Sequence, residues 1–135
     1  MISDKRKLSK LCEKYNIKLL LLHGSYALGK ERDDSDIDIA YLANEKELDI
    51  KSFFALQHEI HDLVGAEKNL DFHSIHKTDP LFQYKISQNA KLLYGNEDSF
   101  NDFKLHSFVK YHDQKSIREL EKKLIIKQQE AWHAR

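Results

Sequence analysis

Four consecutive leucines, residues 19–22, restrict the fold of this 135-residue chain more than any other feature. They lie within an apolar segment, residues 17–23, that has the length of a strand and falls well short of the roughly 18 residues a membrane-spanning helix needs. Side chains alternate between the two faces of a strand, so four leucines in a row require apolar cover on both faces. The run therefore predicts a buried strand over residues 17–23.

The rest of the chain alternates between helical and strand patterns. Apolar spacing predicts helices over residues 3–15, 48–63, 80–89 and from residue 98 onward, and a short helical turn after the first strand that ends at Gly29. Strand patterns cover residues 36–42, 70–75 and 91–94. Ser3 or Asp4 would cap the first helix, and Thr78 or Asp79 the third. We expect an α/β (α+β) fold, a small mixed sheet packed with helices, as a single domain over residues 1–135.

The C-terminal segment, about residues 98–131, has two apolar stripes separated by polar residues 113–116, so it forms either one long helix or two. The first stripe is expected in the core and consists of Phe100, Phe103, Ser107, Phe108 and Tyr111. The second consists of Ile117, Leu120 and Leu124. A domain of this size buries such a second stripe with difficulty, so it either docks a partner or packs on the chain itself.

The charges cancel over the whole chain, with 22 Lys and Arg against 22 Asp and Glu. This balance argues against direct electrostatic binding of the whole protein to nucleic acid or to an anionic membrane. The N-terminus has no apolar segment of the kind that a secretory signal needs, so we do not expect secretion. Cys12 is the only cysteine and cannot form an internal disulfide. We therefore expect a cytoplasmic protein.

A Gly-Ser pair follows the leucine strand, and an Asp-x-Asp motif comes ten residues after it. Gly24 and Ser25 open the short helical turn, where free backbone N–H groups converge and the helix dipole favours an anion. The missing β-carbon of Gly24 allows close approach. This arrangement suits the outer phosphates of a nucleotide.

The two acids of the motif, Asp36 and Asp38, fall on one face of the second predicted strand, roughly 7 Å apart at the α-carbons. Like charges at that distance repel, and a divalent cation would relieve the repulsion. Carboxylate oxygens are ligands that Mg²⁺ prefers. Asp71 opens the third predicted strand and would complete a site for two metal ions.

These segments resemble the signature of the DNA polymerase β-like nucleotidyltransferases, and specifically the minimal nucleotidyltransferases of prokaryotes. The resemblance covers about residues 15–110. It rests on Leu19-Leu-Leu-Leu-His-Gly-Ser, Ser35-Asp-Ile-Asp-Ile-Ala-Tyr-Leu, Leu70-Asp-Phe, and the stretch from Pro80-Leu to Leu92-Leu-Tyr-Gly95. The resemblance implies the nucleotidyltransferase fold.

The resemblance also implies an activity. Such proteins look like antitoxins that transfer AMP from Mg-ATP to a tyrosine of a HEPN-fold ribonuclease toxin and so silence it. Gly24 and Ser25 would then bind the triphosphate, and Asp36, Asp38 and Asp71 would hold two Mg²⁺ ions. Asp71 could also take the proton of the acceptor hydroxyl. Many family members have a basic residue where this chain has Leu28.

The nearest bases to Leu28 are Lys30 and Arg32, which become the candidates for further phosphate contacts. Two alternative functions stay open. One is a nucleotidyltransferase that acts on a small molecule, as aminoglycoside-modifying enzymes do; those enzymes usually carry an additional helical domain that this chain lacks room for. The other is an antitoxin that blocks its toxin by binding alone.

Overall fold

The computed structural model describes residue 2, residues 4–65 and residues 67–134. Ser3, one of the two predicted caps, lies outside this range. In chain order the elements are α1 (Lys5–Lys14), β1 (Ile17–His23), α2 (Gly24–Leu28), β2 (Ile37–Ala43), α3 (Ile50–Val64), β3 (Leu70–Ser74), a 3-10 turn (Ile75–Lys77), α4 (Pro80–Asn89), β4 (Lys91–Tyr94) and α5 (Glu97–His133).

The four strands form one sheet in the order β3-β2-β1-β4. Strand β1 is antiparallel to both of its neighbours, whereas β2 and β3 are parallel. The sheet is therefore mixed, and the α/β fold class expected from the alternating pattern is confirmed. Strands β3 and β4 are its edges, so the leucine-rich β1 and the Asp-bearing β2 are central.

The leucines of β1 divide between two hydrophobic cores, as the two-sided cover predicted. Leu20 and Leu22 pack on the face covered by α1 and α3. Leu19 and Leu21 pack on the opposite face, against α4 and α5. All four are almost fully buried, at 0–6% exposure. Because each face has its own helical layer, β1 and β2 are held rigidly in the middle of the molecule.

Side-chain caps fix where the helices begin. Asp4 accepts a hydrogen bond from the Lys7 N–H at 3.1 Å at the start of α1. Asp79, rather than Thr78, caps α4 by accepting from the Phe82 N–H at 2.8 Å. Pro80 then occupies the first turn of α4, where its missing N–H has no helical acceptor to lose. From this first turn of α4, Phe82 packs beside His73 of β3 at a ring-centroid distance of 5.4 Å.

The C-terminal segment is one helix of 37 residues. The polar residues 113–116 do not interrupt it, because the segment contains no Pro or Gly that would end a helix. At 1.5 Å per residue it is about 55 Å long, which is longer than a helix needs to be to cover the sheet. None of the described helices, α5 included, combines the length and the apolar character needed to cross a membrane.

The first apolar stripe of α5 is only partly buried, which corrects the expectation for Phe108. Phe100, Phe103 and Ser107 lie in the core, at 6%, 8% and 2% exposure, whereas Phe108 is 50% exposed. Phe108 lies on a different side of the helix from Phe103, and its ring packs beside His112 at a centroid distance of 4.2 Å. Beyond Ser107, α5 still touches α4, where the Tyr84 ring lies 4.4 Å from the Tyr111 ring, and the described residues after Tyr111 are exposed.

Candidate active site

The two acids Asp38 and Asp71 lie side by side at one end of the sheet. Strand pairing places His23 opposite Asp38 and Asp38 opposite Asp71. Neighbouring strands are about 4.8 Å apart, and residues in register present their side chains to the same face. The carboxylates of β2 and β3 therefore converge on the face covered by α4.

Gly24, the first residue of α2, is in direct contact with this acid pair. Its backbone is left-handed, with φ at +71°. A β-carbon at this position would overlap the Asp38 carboxylate and would lie 3.0 Å from its Cγ. Glycine is required on both counts, because it tolerates a positive φ and leaves the space that the carboxylate fills. The turn formed by Gly24 and Ser25, named the phosphate turn for its predicted ligand, and the Asp38 carboxylate are thus fitted to each other.

The electrostatics of the site show that its carboxylates crowd one another. Burial, the neighbouring Asp71 and, to a smaller extent, Asp36 raise the pKa of Asp38 from 3.8 to about 6. Asp71 itself is on the edge strand, with 62% of its side chain exposed. One acid is therefore partly buried against the phosphate turn, and the other is open to solvent.

Asp36 differs from its expected position. Strand β2 begins at Ile37, one residue later than the alternating pattern predicted, so Asp36 precedes the strand and is exposed. The chain crosses from a loop into β2 at Ile37, whose N–H donates to the Asn69 carbonyl at 2.9 Å. Asp36 borders a surface depression together with α3 residues, including His58 and His61. It still acts on Asp38 through space.

The turn that follows β1 has the predicted short helix and the predicted end. Helix α2 stops at Gly29, whose φ of +68° is left-handed. The N-cap residue of α2 is His23, which makes no side-chain cap bond within the described chain. The N–H groups of the first turn of α2 are therefore not occupied by a capping side chain. Ser25 is half-buried there.

The two candidate basic residues are placed farther out. Lys30 and Arg32 lie in the exposed loop between α2 and β2. A local turn holds this loop, in which the Arg32 N–H donates to Ser35 Oγ at 2.8 Å. No ion pair joins either base to the acid pair in the part of the chain described. The structure therefore brings together Gly24, Asp38 and Asp71, and leaves both bases at the rim.

A pair of histidines adjoins the acids and was not predicted as a unit. His23 and His73 approach through their Nε2 atoms at 3.0 Å, and His73 Nδ1 lies 3.8 Å from Asp71 Oδ1. Burial lowers the pKa of His23 to about 4 and also lowers that of His73. Burial therefore favours the neutral form of both rings. The signal in the sequence was their position, since His23 directly precedes Gly24 and His73 is two residues after Asp71 on the same strand.

The residues present fit the chemistry of a divalent cation. No group of three or more His, Cys, Asp or Glu side chains among the described residues is arranged to hold a metal ion. The donors that converge are nevertheless all carboxylate oxygens, which suit Mg²⁺. Burial and, after it, the neighbouring carboxylates raise the pKa of Asp38, and a bound cation would relieve both penalties on its charged form.

Comparison with known families identifies the same segment. Residues 6–99 match the family model described as polymerase beta, nucleotidyltransferase. This match covers more than half of the chain and contains β1, the Gly-Ser turn, both strands that carry the acids, and β4. No curated protein sequence is similar enough to count as a match.

Three solved structures are similar over nearly the whole length. A toxin–antitoxin crystal structure with AMP-PNP has a TM-score of 0.72 at 22% identity, over 91% of this chain and 98% of that one. The MNT antitoxin structure with a tri-AMPylated HEPN toxin from Shewanella oneidensis gives 0.65 at 20%, over 90% and 95%. The toxin–antitoxin MntA–HepT gives 0.65 at 19%, over 90% and 96%. At these identities the likeness shows the fold.

Proposed function

The chain belongs to the polymerase beta nucleotidyltransferase family, and on that basis we propose that it is an antitoxin of the protein adenylyltransferase type. It transfers AMP from Mg-ATP to a tyrosine hydroxyl of a cognate HEPN ribonuclease toxin and thereby neutralises the toxin. The observation that carries the proposal is the contact between the Gly24 turn and Asp38, which is itself in register with Asp71.

The structural neighbours support the choice of substrate and partner. One is a toxin–antitoxin pair with an ATP analogue, and another holds a HEPN toxin that carries AMP. Each shares the fold of this chain over about nine-tenths of its length. A nucleotide donor and a protein acceptor are therefore the natural assignment for a chain of the same fold.

In this proposal Gly24 and Ser25 bind the triphosphate. The N–H groups at the start of α2 donate to phosphate oxygens, and the missing β-carbon of Gly24 lets the phosphates come close to Asp38. Lys30 and Arg32 lie in the loop that follows and supply positive charge at the outer end of the phosphate chain. Their exposure leaves both side chains free to reach it.

Asp36, Asp38 and Asp71 would hold two Mg²⁺ ions, which when bound neutralise developing charge on the attacking and leaving oxygens. Asp71 is placed on the acceptor side, because it is the exposed carboxylate on the edge strand. It takes the proton of the tyrosine hydroxyl as that oxygen forms its bond to the α-phosphorus. The bond from that phosphorus to the bridging oxygen breaks, and pyrophosphate leaves.

The open position of Asp71 favours a macromolecular acceptor. Its side chain is 62% exposed at the sheet edge, so a tyrosine on the surface of another protein can reach it. A small-molecule acceptor would need a surrounding pocket, and the described chain devotes no second domain to one. The exposure of Asp71 therefore favours a protein acceptor over a small-molecule acceptor.

The outer part of α5 is proposed as the docking element for the toxin. Ile117, Leu120 and Leu124 are 54–57% exposed, although they recur every three to four residues on one side of the helix. A single exposed apolar residue needs no explanation, but a stripe on a helix that extends beyond its own domain does. The proposed occupant is the HEPN toxin, consistent with the toxin–antitoxin complexes among the neighbours.

Intact-mass spectrometry of the partner tests the proposal. The chain is co-expressed with the proposed HEPN partner, which is then purified and weighed. We expect one or more added AMP units, located on tyrosine by peptide fragmentation. If the partner were silenced without added mass, the chain would act by binding the toxin and not by modifying it. Transfer to a small hydroxyl compound, but not to the partner, would favour the other alternative.

A further inference from the structure

The two site histidines meet across the central strand β2. His23 ends β1 and His73 lies on β3, with β2 between them. On the face that both side chains share, β2 carries Ala40, which pairs with His73 in the parallel register. The small side chain of Ala40 leaves room above the strand, and the two Nε2 atoms come within 3.0 Å.

The short Nε2–Nε2 distance fixes how the protons are arranged. In a neutral imidazole one nitrogen donates and the other accepts, so one ring must donate through Nε2 and the other must accept. The other nitrogen of His73, Nδ1, faces Asp71 Oδ1 at 3.8 Å. A carboxylate accepts, so the favourable form of His73 carries its proton on Nδ1. Its Nε2 is then an acceptor, and His23 must be the donor.

The surroundings hold both rings in this arrangement. His23 is buried, at 8% exposure. The Phe82 ring of α4 packs edge-on against His23 at a centroid distance of 5.9 Å, and lies 5.4 Å from the His73 ring. The two imidazoles are themselves nearly perpendicular, at 71°. His23 of β1 and Phe82 of α4 thus both pack against His73 of β3, the residue that lies beside Asp71.

We propose that His73 is a positioning residue for Asp71, and that His23 fixes the tautomer of His73. The carboxylate of Asp71 is on an edge strand and largely exposed, so its rotamer is not fixed by packing. At 3.8 Å the Nδ1–H of His73 attracts Oδ1 electrostatically, without a hydrogen bond, and this attraction restrains the carboxylate in the way that residues behind a metal-binding group orient that group. The catalytic consequence rests on the proposed function of Asp71, whereas the tautomer does not.

The tautomers can be measured directly in the unliganded protein. Two-dimensional ¹H–¹⁵N NMR through long-range couplings distinguishes Nδ1–H from Nε2–H in neutral histidines. His76 supplies an internal reference, because its Nε2 accepts from the Ala43 N–H at 3.1 Å and its proton must be on Nδ1. We expect Nδ1–H for His73 and Nε2–H for His23. Nε2–H on His73 would overturn the proposal, whether or not the protein transfers AMP.

Paired substitutions test the consequence for the reaction. His73→Leu removes the donor, and His73→Asn retains an N–H near the position of Nδ1. His23→Leu and His23→Gln form the equivalent pair for Nε2. We expect the leucine variants to lower kcat for transfer by about tenfold or more with KM for ATP unchanged, and the amide variants to recover much of it.

His58→Leu is the matched control, since His58 is an exposed histidine, with 78% of its side chain accessible, on α3. It should transfer AMP like the parent chain. If the leucine variants at 23 and 73 lowered melting temperature and ATP affinity together with kcat, and the amide variants failed to recover activity, the pair would be a packing feature. A total absence of transfer in the parent chain would instead reject the proposed function and leave the NMR result standing.

Discussion

Gly24 and Asp38 are so close that a β-carbon at position 24 would occupy the place of the Asp38 carboxylate. The phosphate turn and the acid pair are therefore one structural unit, although thirteen residues separate them along the chain. A change in either member is expected to act through the other.

Gly24→Ala should abolish transfer, because the added methyl group displaces the Asp38 carboxylate. Gly29→Ala is a matched control, since the two glycines have nearly the same positive φ, +71° and +68°, but position 29 has open space around it. Both variants should lose about 1–2 kcal/mol of stability from backbone strain. Urea unfolding and a transfer assay separate the two effects. Full activity in Gly24→Ala would show that the contact has no role.

The raised pKa of Asp38 predicts a stability change with pH. Because its pKa in the folded protein, about 6, exceeds the ordinary 3.8, the stabilising contribution is fully present below pH 3.8 and is lost as pH rises from there through about 6. Asp38→Asn should therefore raise the melting temperature of metal-free protein by a few degrees at pH 8, and much less at about pH 4, near the unfolded pKa. Thermal melts in a chelator measure this. An equal effect at both pH values would contradict the assignment.

Mg²⁺ should stabilise the parent chain more than it stabilises the Asp38→Asn variant. In the parent chain at pH 8, adding Mg²⁺ should raise the melting temperature, because the cation relieves the repulsion among the carboxylates. In Asp38→Asn that gain should be much smaller. The effect should also weaken below pH 6, where protons compete for Asp38. Differential scanning fluorimetry over a Mg²⁺ series shows whether it does.

The exposed stripe of α5 should matter for partner binding and not for folding. Leu120→Asp and Leu124→Asp place a charge where an apolar contact is proposed, so toxin affinity should fall at least tenfold. Both side chains are 57% exposed, so the melting temperature should change little. Gln129→Asp, on a different side of the same helix, is the control and should bind normally. Unchanged binding by all three variants would place the docking surface elsewhere.

The sequence allowed the fold to be predicted where one residue type left few choices. The leucine run required cover on both faces, and Leu19 and Leu20 indeed face different cores. Gly29 ends α2 as expected of a glycine that follows a short helix. The lack of Pro and Gly after residue 95 could have settled that α5 is continuous, but the polar residues 113–116 left that open.

The site was harder to predict because it depends on strand register. The pattern placed Asp36 inside the strand, whereas β2 begins at Ile37, since alternation alone does not locate a strand end to one residue. Asp71 was identified as a neighbouring acid, but its pairing with Asp38 follows from the parallel arrangement of β2 and β3. The His23–His73 contact spans three strands, and no local pattern reports such a distance.

Transfer of AMP to the HEPN partner by purified protein is the reaction that the proposed function requires. The chain is incubated with Mg-ATP labelled at the α-phosphate and with its HEPN partner, and label on the partner is measured for the parent, Asp38→Asn and Asp34→Asn. Asp34 is an exposed loop acid near the same segment and serves as the control. We expect labelling by the parent and by Asp34→Asn, and at least a hundredfold less by Asp38→Asn. Equal labelling of the partner by all three would show that Asp38 takes no part in the transfer.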